Sequence, residues 1–334
     1  METRNANGKF GFKVYGGGGF GRNPALGFLL IPFIPPSRLA RAARAMVELF
    51  SEHGDRTNRA AARVRYIAAR LGKAGFKKLY LDYYRKLEKR EFPPVPTFPS
   101  DWNAKTAVSF VLPEHTVPED AGYKRWLRLA TRKTRFKGES SVRLFIPKGI
   151  LNVAGFRRLA SLLERFGIPA VRLTIEQNIL IPAFPEETLP ALYEALKDLP
   201  EDLVFSTFRG QLDTCIGAAV CRIGILDTPR YAAEVSGALD DYFRKHPARF
   251  TAARANTIVE SLHFSGCPNS CTSHQAARFG FQGFRKKIGE TLVDGFTVWH
   301  NPSEKPIGKE DPEFIPAAEL PARVLSLLEE AKIL

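Results

Sequence analysis

The chain has 334 residues, 44% of them hydrophobic and 25% charged, with a formal net charge of +14. That is globular composition with room for about two domains, and its basic balance suits an anionic partner: nucleic acid, anionic lipid, a polycarboxylate cofactor or an acidic protein. Neither a membrane span nor a secretory signal is expected. The most apolar run, Leu26 to Ile34, is broken by Pro32 and falls well short of the roughly 20 residues of a membrane helix, and the N-terminal METRNANGKFGFKVY has no continuous apolar core. A cytoplasmic, reducing compartment is expected, where structural disulfides are rare.

In chain order, Lys9 to Tyr15 predicts a strand running into Gly16, Gly17, Gly18 and Gly19. Gly16, Gly18 and Gly21 satisfy G-x-G-x-x-G, but Asn23-Pro24 continues a loop where a dinucleotide site needs an immediate helix. Two readings stay open: a tight turn between strands, or backbone closely approaching a bulky cofactor. Ser37 to Phe50 predicts a helix with Leu39, Ala43, Met46, Val47 and Phe50 inward, Ser37 capping its start and Gly54 ending it. Asp55 to Arg59 is a polar connection, and Asn58 to Leu71 predicts a second helix. Its inward face is Ala61, Val64, Ala68 and Leu71; its outer face, Arg59, Arg63 and Arg70, is either solvated or anion-binding.

Glu91 to Trp102 holds four prolines and predicts a linker. Beyond it, Ser141 to Ile146 predicts a strand, and Val153 to Phe166 a helix with Leu159, Leu162, Leu163 and Phe166 inward. Ala170 to Leu173 and Asn178 to Ile181 predict strands, and Thr188 to Leu199 a helix. This β-α-β-α succession predicts a ferredoxin-like α+β layer. Leu203 to Phe208 leads to a first cysteine pair. Tyr231 to Phe243 predicts a helix, and Thr257 to Phe264 a strand delivering the chain to a second pair. Arg285, Lys286 and Lys287 form a basic patch, Phe296 to Trp299 predicts a strand, and Ala318 to Leu334 a helix. No aromatic-basic signature accompanies the basic patches, which argues against nucleic acid.

The four cysteines of the chain lie in two pairs, Cys215 and Cys221 with five residues between them and Cys267 and Cys271 with three. Disulfides need an oxidising compartment. Idle buried thiols occur singly more than in pairs. A four-cysteine zinc site uses two to four intervening residues, which suits the second pair and not the first. An iron–sulfur cluster needs four thiolates and tolerates varied spacing. Pro268 suits the first turn of a helix whose free N–H groups stabilise thiolates. Gly266 allows close approach, and Gly217, Ala218 and Ala219 keep the other loop small enough for its N–H groups to reach sulfur.

C-x5-C followed by G-C-P-N-S-C resembles the sirohaem-dependent nitrite and sulfite reductase family, and so do Gly11 to Arg22 (GFKVYGGGGFGR), His53 to Arg59 (HGDRTNR) and Leu173 to Ile181 (LTIEQNILI), in the same order. The resemblance covers nearly the whole chain. It implies that Cys215, Cys221, Cys267 and Cys271 hold a 4Fe-4S cluster, with Cys271 shared with sirohaem iron. It implies that Asn269, Gly16 to Gly19, Arg56, Asn58, Arg59, Gln177 and Asn178 approach the sirohaem, whose carboxylates give the basic excess a use.

The implied fold is α+β: the end of a first sirohaem/4Fe-4S lobe over residues 1–90, a linker over 91–102, a ferredoxin-like half domain over 103–202, and a second lobe with the cysteines over 203–334. The implied activity is six-electron reduction of nitrite to ammonia or sulfite to sulfide, with ferredoxin or a flavoprotein as electron donor and a small anion as substrate. The alternative is a cluster-binding redox module without turnover of its own. The family has a first ferredoxin-like layer ahead of the position of Met1, where its substrate-binding Arg and Lys lie. No catalytic residue is therefore assigned, and a truncated chain, a split enzyme with a complementing subunit, or a degenerate cluster protein are the expectations.

Overall fold

The computed structural model describes residues 2–4, 8–93, 121–134, 136–146, 149–197, 199, 212–301 and 306–334. Most of the expected proline-rich linker, from residue 94 on, and the expected lead-in Leu203 to Phe208 lie outside the described residues. The chain divides into two compact units, Met1–Ala104 and Lys105–Leu334.

In the first unit, β1 (Glu2–Arg4), β2 (Phe10–Gly16) and β3 (Phe28–Ile34) form an antiparallel sheet in chain order. The glycine loop joins β2 to β3 and is pinned by a Gly19–Ala25 bridge. A Cβ on Gly18 would lie 2.1 Å from the Gly27 nitrogen, so two stretches of bare backbone meet there and no side chain fits. The motif is a turn between antiparallel strands, with no helix following.

Helix α1 (Leu39–His53) buries Ala42, Ala45 and Leu49, while Val47 is 53% exposed. The expected inward face is thus corrected by about a quarter turn. The small Ala42 and Ala45 admit the aromatic side of α2 (Val64–Lys86), where Phe76 and Tyr80 are fully buried and the Tyr80 hydroxyl donates to the Ala42 carbonyl at 3.0 Å. Ser37 does not cap α1. It lies in a 3-10 turn, Pro36–Arg38, and no side chain accepts at the helix start. Gly54 does end α1, its N–H bonding to the Phe50 carbonyl at 2.9 Å.

The second helix starts at Val64 instead of Asn58. Asp55 Oδ1 accepts the Thr57 and Asn58 N–H groups, and Asn58 Oδ1 accepts that of Ala60, so side chains take the donors a helix would use. The helix breaks at Gly72 (φ +69) and resumes to Lys86, a second half that the sequence reading did not foresee.

The second unit holds two sheets. Helix α3 (Ala121–Ala130) leads into β4 (Thr131–Lys133) and β5 (Glu139–Leu144), then α4 (Val153–Arg165), β6 (Arg172–Leu173), β7 (Ile179–Pro185) and α5 (Leu189–Leu196). The strands pair antiparallel in the order β4-β5-β7-β6. Asn152 caps α4 by accepting the Gly155 N–H at 2.7 Å. Leu159, Leu162, Ile181, Phe184 and Leu192 close the core between helices and sheet. The expected ferredoxin-like succession is present.

The other sheet is built from β8 (Asp213–Thr214), β9 (Leu262–Ser265), β10 (Phe279–Ile288), β11 (Thr291–His300) and β12 (Lys309–Pro316), with helices α6 (Thr228–Lys245), α7 (Ala252–Ser261) and α8 (Leu320–Glu330). Its order is β12-β11-β10-β9-β8, and β9 runs parallel to both neighbours. Phe264 and Phe281 stack across β9 and β10 with ring centroids 4.7 Å apart, inside a core with Leu226, Val235, Leu239 and Leu328. Most of the expected strand Thr257 to Phe264 is helix α7. Thr251 accepts the Arg254 N–H, and Ala255, Ile258 and Leu262 bury at helical spacing. Among the described residues no helix is long and apolar enough to cross a membrane.

Candidate metal centre

The two cysteine pairs follow the C-terminal ends of the parallel neighbours β8 and β9. Cys215 follows β8 directly, and its N–H bonds to the Phe264 carbonyl of β9 at 3.1 Å. Cys267 follows β9 by two residues. The strand β9 therefore fixes both loops in one place.

All four thiols are free. Cys267 is buried, Cys215 and Cys221 are half-buried, and Cys271 is exposed. Burial pushes the Cys267 and Cys271 thiols up, and charge on the other cysteines adds to it, so the four sulfurs lie within electrostatic reach of one another. Hydrogen bonds from the Asn269 backbone and side chain to Cys267 oppose the rise. The Gly266 N–H donates to the Cys215 sulfur at 3.2 Å, and the Thr228 hydroxyl stands 3.4 Å from it.

These donors differ from the expected ones. No helix follows Pro268; the chain turns, and the donor comes from Asn269. The N–H groups of Ala218, Val220 and Cys221 bond to carbonyls of Leu226 and Gly217. They brace the first loop, while Gly266 supplies its N–H to sulfur.

Four free thiols, partly shielded, with amide donors aimed at two of the sulfurs, fit an anionic cluster. Among the described residues no three His, Cys, Asp or Glu are close enough to hold one metal ion. The sulfurs are thus not gathered as a zinc knuckle gathers them. The exposed Cys271 leaves one corner of the group open.

The backbone around Cys271 is unusual. Ser270 (φ +58) and Ser273 (φ +54) are non-glycine residues in the left-handed region. Ser270 Oγ bonds to Gln275 Oε1, and His274 is fully buried with its ring edge-on to Trp299 at 5.9 Å.

A family model described as the nitrite and sulphite reductase 4Fe-4S domain matches residues 1–87, and another, the nitrite/sulfite reductase ferredoxin-like half domain, matches residues 135–199. Two segments of the chain are thus similar to two different domains of the nitrite and sulphite reductases. All four cysteines lie outside both matched segments. A chloroplastic ferredoxin–nitrite reductase of Betula pendula is 28% identical over 83% of this chain and 42% of its own length. An assimilatory ferredoxin-dependent nitrite reductase of Haloferax mediterranei is 27% identical over 96% of this chain and 52% of its own. A ferredoxin sulfite reductase of Mycolicibacterium paratuberculosis is 24% identical over 86% and 46%. The chain thus spans about half the length of the curated relatives it matches. The solved NirA protein of Mycobacterium tuberculosis shares the fold, with a TM-score of 0.74 at 21% identity, covering 99% of this chain and 56% of that one.

The remaining residues singled out by the resemblance to the reductase family fall in both units. Gly16 to Gly19, Arg56, Asn58 and Arg59 are in the first unit. Arg56 and Arg59 are exposed, and Arg56 reaches Ser51 Oγ at 3.5 Å. Gln177, Asn178, Asn269 and the cysteines are in the second. Gln177 (φ +64) donates its amide to the Thr214 carbonyl at 2.9 Å, one residue before Cys215. Asn178 is buried, and its Oδ1 accepts the Ile146 N–H at 2.9 Å. Both amides thus have places in the framework of the ferredoxin-like layer.

The residues that the sequence reading missed are Asp213, His263, Ser265 and Thr272, which sit behind the cysteines. His263 Nδ1 is 2.7 Å from the Thr272 carbonyl and 3.3 Å from Asp213 Oδ2. Burial raises the Asp213 carboxyl, against the pull of His263.

Proposed function

We propose that this chain is the cluster-bearing part of a sirohaem-dependent nitrite or sulfite reductase. Cys215, Cys221, Cys267 and Cys271 hold a 4Fe-4S cluster, and Cys271 also faces sirohaem. The observation that carries the reading is the graded burial of four free thiols, from buried Cys267 to exposed Cys271, with N–H donors at Cys215 and Cys267. Residues 1–90 then form the end of a first lobe, 103–202 the ferredoxin-like layer and 203–334 the lobe with the cysteines. The family resemblance assigns sirohaem contacts to Gly16 to Gly19, Arg56, Asn58 and Arg59 in the first unit and, separately, to Gln177, Asn178 and Asn269 in the second.

When bound, the cofactor pair supplies one-electron transfer and the ligand field for six-electron reduction of nitrite to ammonia or sulfite to sulfide. The chain's own residues shape that chemistry. Gly266 and Asn269 place amide donors on two sulfurs, which favours the more negative, reduced state. The exposed arginines Arg56 and Arg59 suit carboxylates. The ferredoxin-dependent relatives favour ferredoxin as the electron donor.

Anaerobic reconstitution of the chain with iron, sulfide and sirohaem tests this. The expected product has about four cluster irons and the red-region absorption of sirohaem, and turns over nitrite or sulfite with reduced methyl viologen. Zinc without iron would overturn the reading. A cluster without sirohaem or turnover would favour the redox-module alternative, and restored turnover with an added first ferredoxin-like layer would favour a split enzyme.

A further inference from the structure

Strand β9 carries His263 and Ser265 two positions apart, so both side chains stand on one face of the sheet. Both reach the same residue, Thr272, which directly follows Cys271. His263 Nδ1 is 2.7 Å from the Thr272 carbonyl. Ser265 Oγ is 2.8 Å from Thr272 Oγ1 and accepts the Thr272 N–H at 3.4 Å. Thr272 is therefore held at its carbonyl, its hydroxyl and its N–H from a single strand. Ser265 and Thr272 are almost fully buried.

The same imidazole nitrogen stands 3.3 Å from Asp213 Oδ2, and Asp213 is the in-register partner of His263 in the parallel β8–β9 pair. A carbonyl only accepts, so Nδ1 carries the hydrogen. Asp213 lies two residues before Cys215. One ring nitrogen thus touches the strand that leads into the first cysteine pair and the residue that leaves the second.

Resting on the cluster reading above, we propose that His263 and Ser265 form a clasp that positions Cys271 by holding Thr272, with His263 tying that hold to the Asp213 strand. They are positioning residues and touch no reacting atom. Cys271 needs such a hold because it is exposed and follows Ser270, a non-glycine residue with φ +58. The left-handed Ser270 favours other conformations when its surroundings relax, and the clasp is the part of those surroundings that comes from the sheet.

The test uses the full-length chain in two states. In the metal-free chain, amide hydrogen exchange over residues 267–273 is compared for wild type, His263→Leu, His263→Asn and Ser265→Ala. His263→Leu keeps bulk and removes the donor; His263→Asn keeps an N–H donor near the Nδ1 position. Loss of one such hydrogen bond speeds local exchange about 10-fold. The expected result is that rise for His263→Leu and Ser265→Ala, with His263→Asn close to wild type. In the reconstituted chain, iron release to an excess of ferrous chelator is expected to quicken about 10-fold in the same two variants, with an altered electron paramagnetic resonance spectrum of the reduced cluster, and His263→Asn again restores both.

Unchanged exchange and unchanged iron release in His263→Leu and Ser265→Ala would overturn the clasp. If His263→Leu does not fold, Ser265→Ala decides by the same measures. A wild-type chain that takes up no cluster fails the reading of function instead, and the exchange arm then decides the clasp alone.

Discussion

The Gly266 N–H points at the Cys215 sulfur from 3.2 Å, across the gap between the two cysteine pairs. A Cβ on Gly266 would lie 2.3 Å from Thr228 Oγ1 and 2.6 Å from the Leu226 carbonyl oxygen. The same carbonyl-lined space lets the Ile225 and Leu226 N–H groups bond to the Gly266 carbonyl, each at 3.1 Å. Gly266→Ala is therefore expected to destabilise the metal-free chain by about 1–3 kcal/mol, read from urea unfolding, and to weaken cluster retention. Wild-type stability with wild-type retention would show that the loop yields without cost.

Arg41 makes a buried junction in the first unit. Its Nε donates to the Tyr84 carbonyl at 2.7 Å and its guanidinium lies 4.0 Å from the Tyr84 ring centre, while the ion pair with Glu88 is peripheral because Glu88 is exposed. Arg41→Met is expected to cost about 2–3 kcal/mol from the lost charged hydrogen bond and ring contact. Arg41→Lys should recover little, since an ammonium cannot stack as a planar fork does. Denaturant midpoints of the two variants check this.

His274 gives the stability of the metal-free chain a pH dependence. Burial pushes its pKa down to about 4, below the ordinary 6.5. The folded chain keeps the ring neutral where the unfolded chain protonates it, so its contribution is fully present above about pH 6.5 and is lost as pH falls toward 4. The full loss is about 3 kcal/mol for a shift of this size. His274→Phe keeps the edge contact with Trp299 and has nothing to titrate. The stability of wild type minus variant should thus rise with pH between 4 and 6.5. A flat difference would show that the ring reaches water.

The glycine loop gives a fourth test. Gly18→Ala should destabilise the first unit, since a methyl group there meets the backbone of Gly27 and Leu26. A cost of about 1–3 kcal/mol is expected from thermal or urea unfolding, independent of any cofactor. A loss seen only in sirohaem-loaded chain would favour the cofactor-approach reading of that loop instead.

The centre was legible in the sequence where its signal was local. Four cysteines in two short spacings, with Gly266 beside one pair, can be read along the chain. Asp213, His263 and Thr272 could not, because a single His in a strand carries no pattern and its partners are brought by parallel pairing across about fifty residues. Helix α7 was misread because Thr257, Ile258 and Val259 form a β-branched run, while the deciding signals were the Thr251 cap and the buried spacing of Ala255, Ile258 and Leu262. Strand β12 escaped notice because its charged, proline-containing sequence suits a sheet edge, and that is where it lies. The ferredoxin-like layer was the most readable part, since its strands and helices alternate with clean periodicity and Asn152 marks a helix start.

The parallel neighbours of β9 also set an order of assembly. Cys215 and Cys267 meet only after β8, near residue 213, has found β9, near residue 263, a contact that must close a long loop before it gains anything. In a zinc finger the metal gathers nearby ligands and so directs folding. Here strand pairing brings the two cysteine loops to one end of the sheet. Parting β8 from β9 would therefore part the two cysteine loops, whatever the thiols hold.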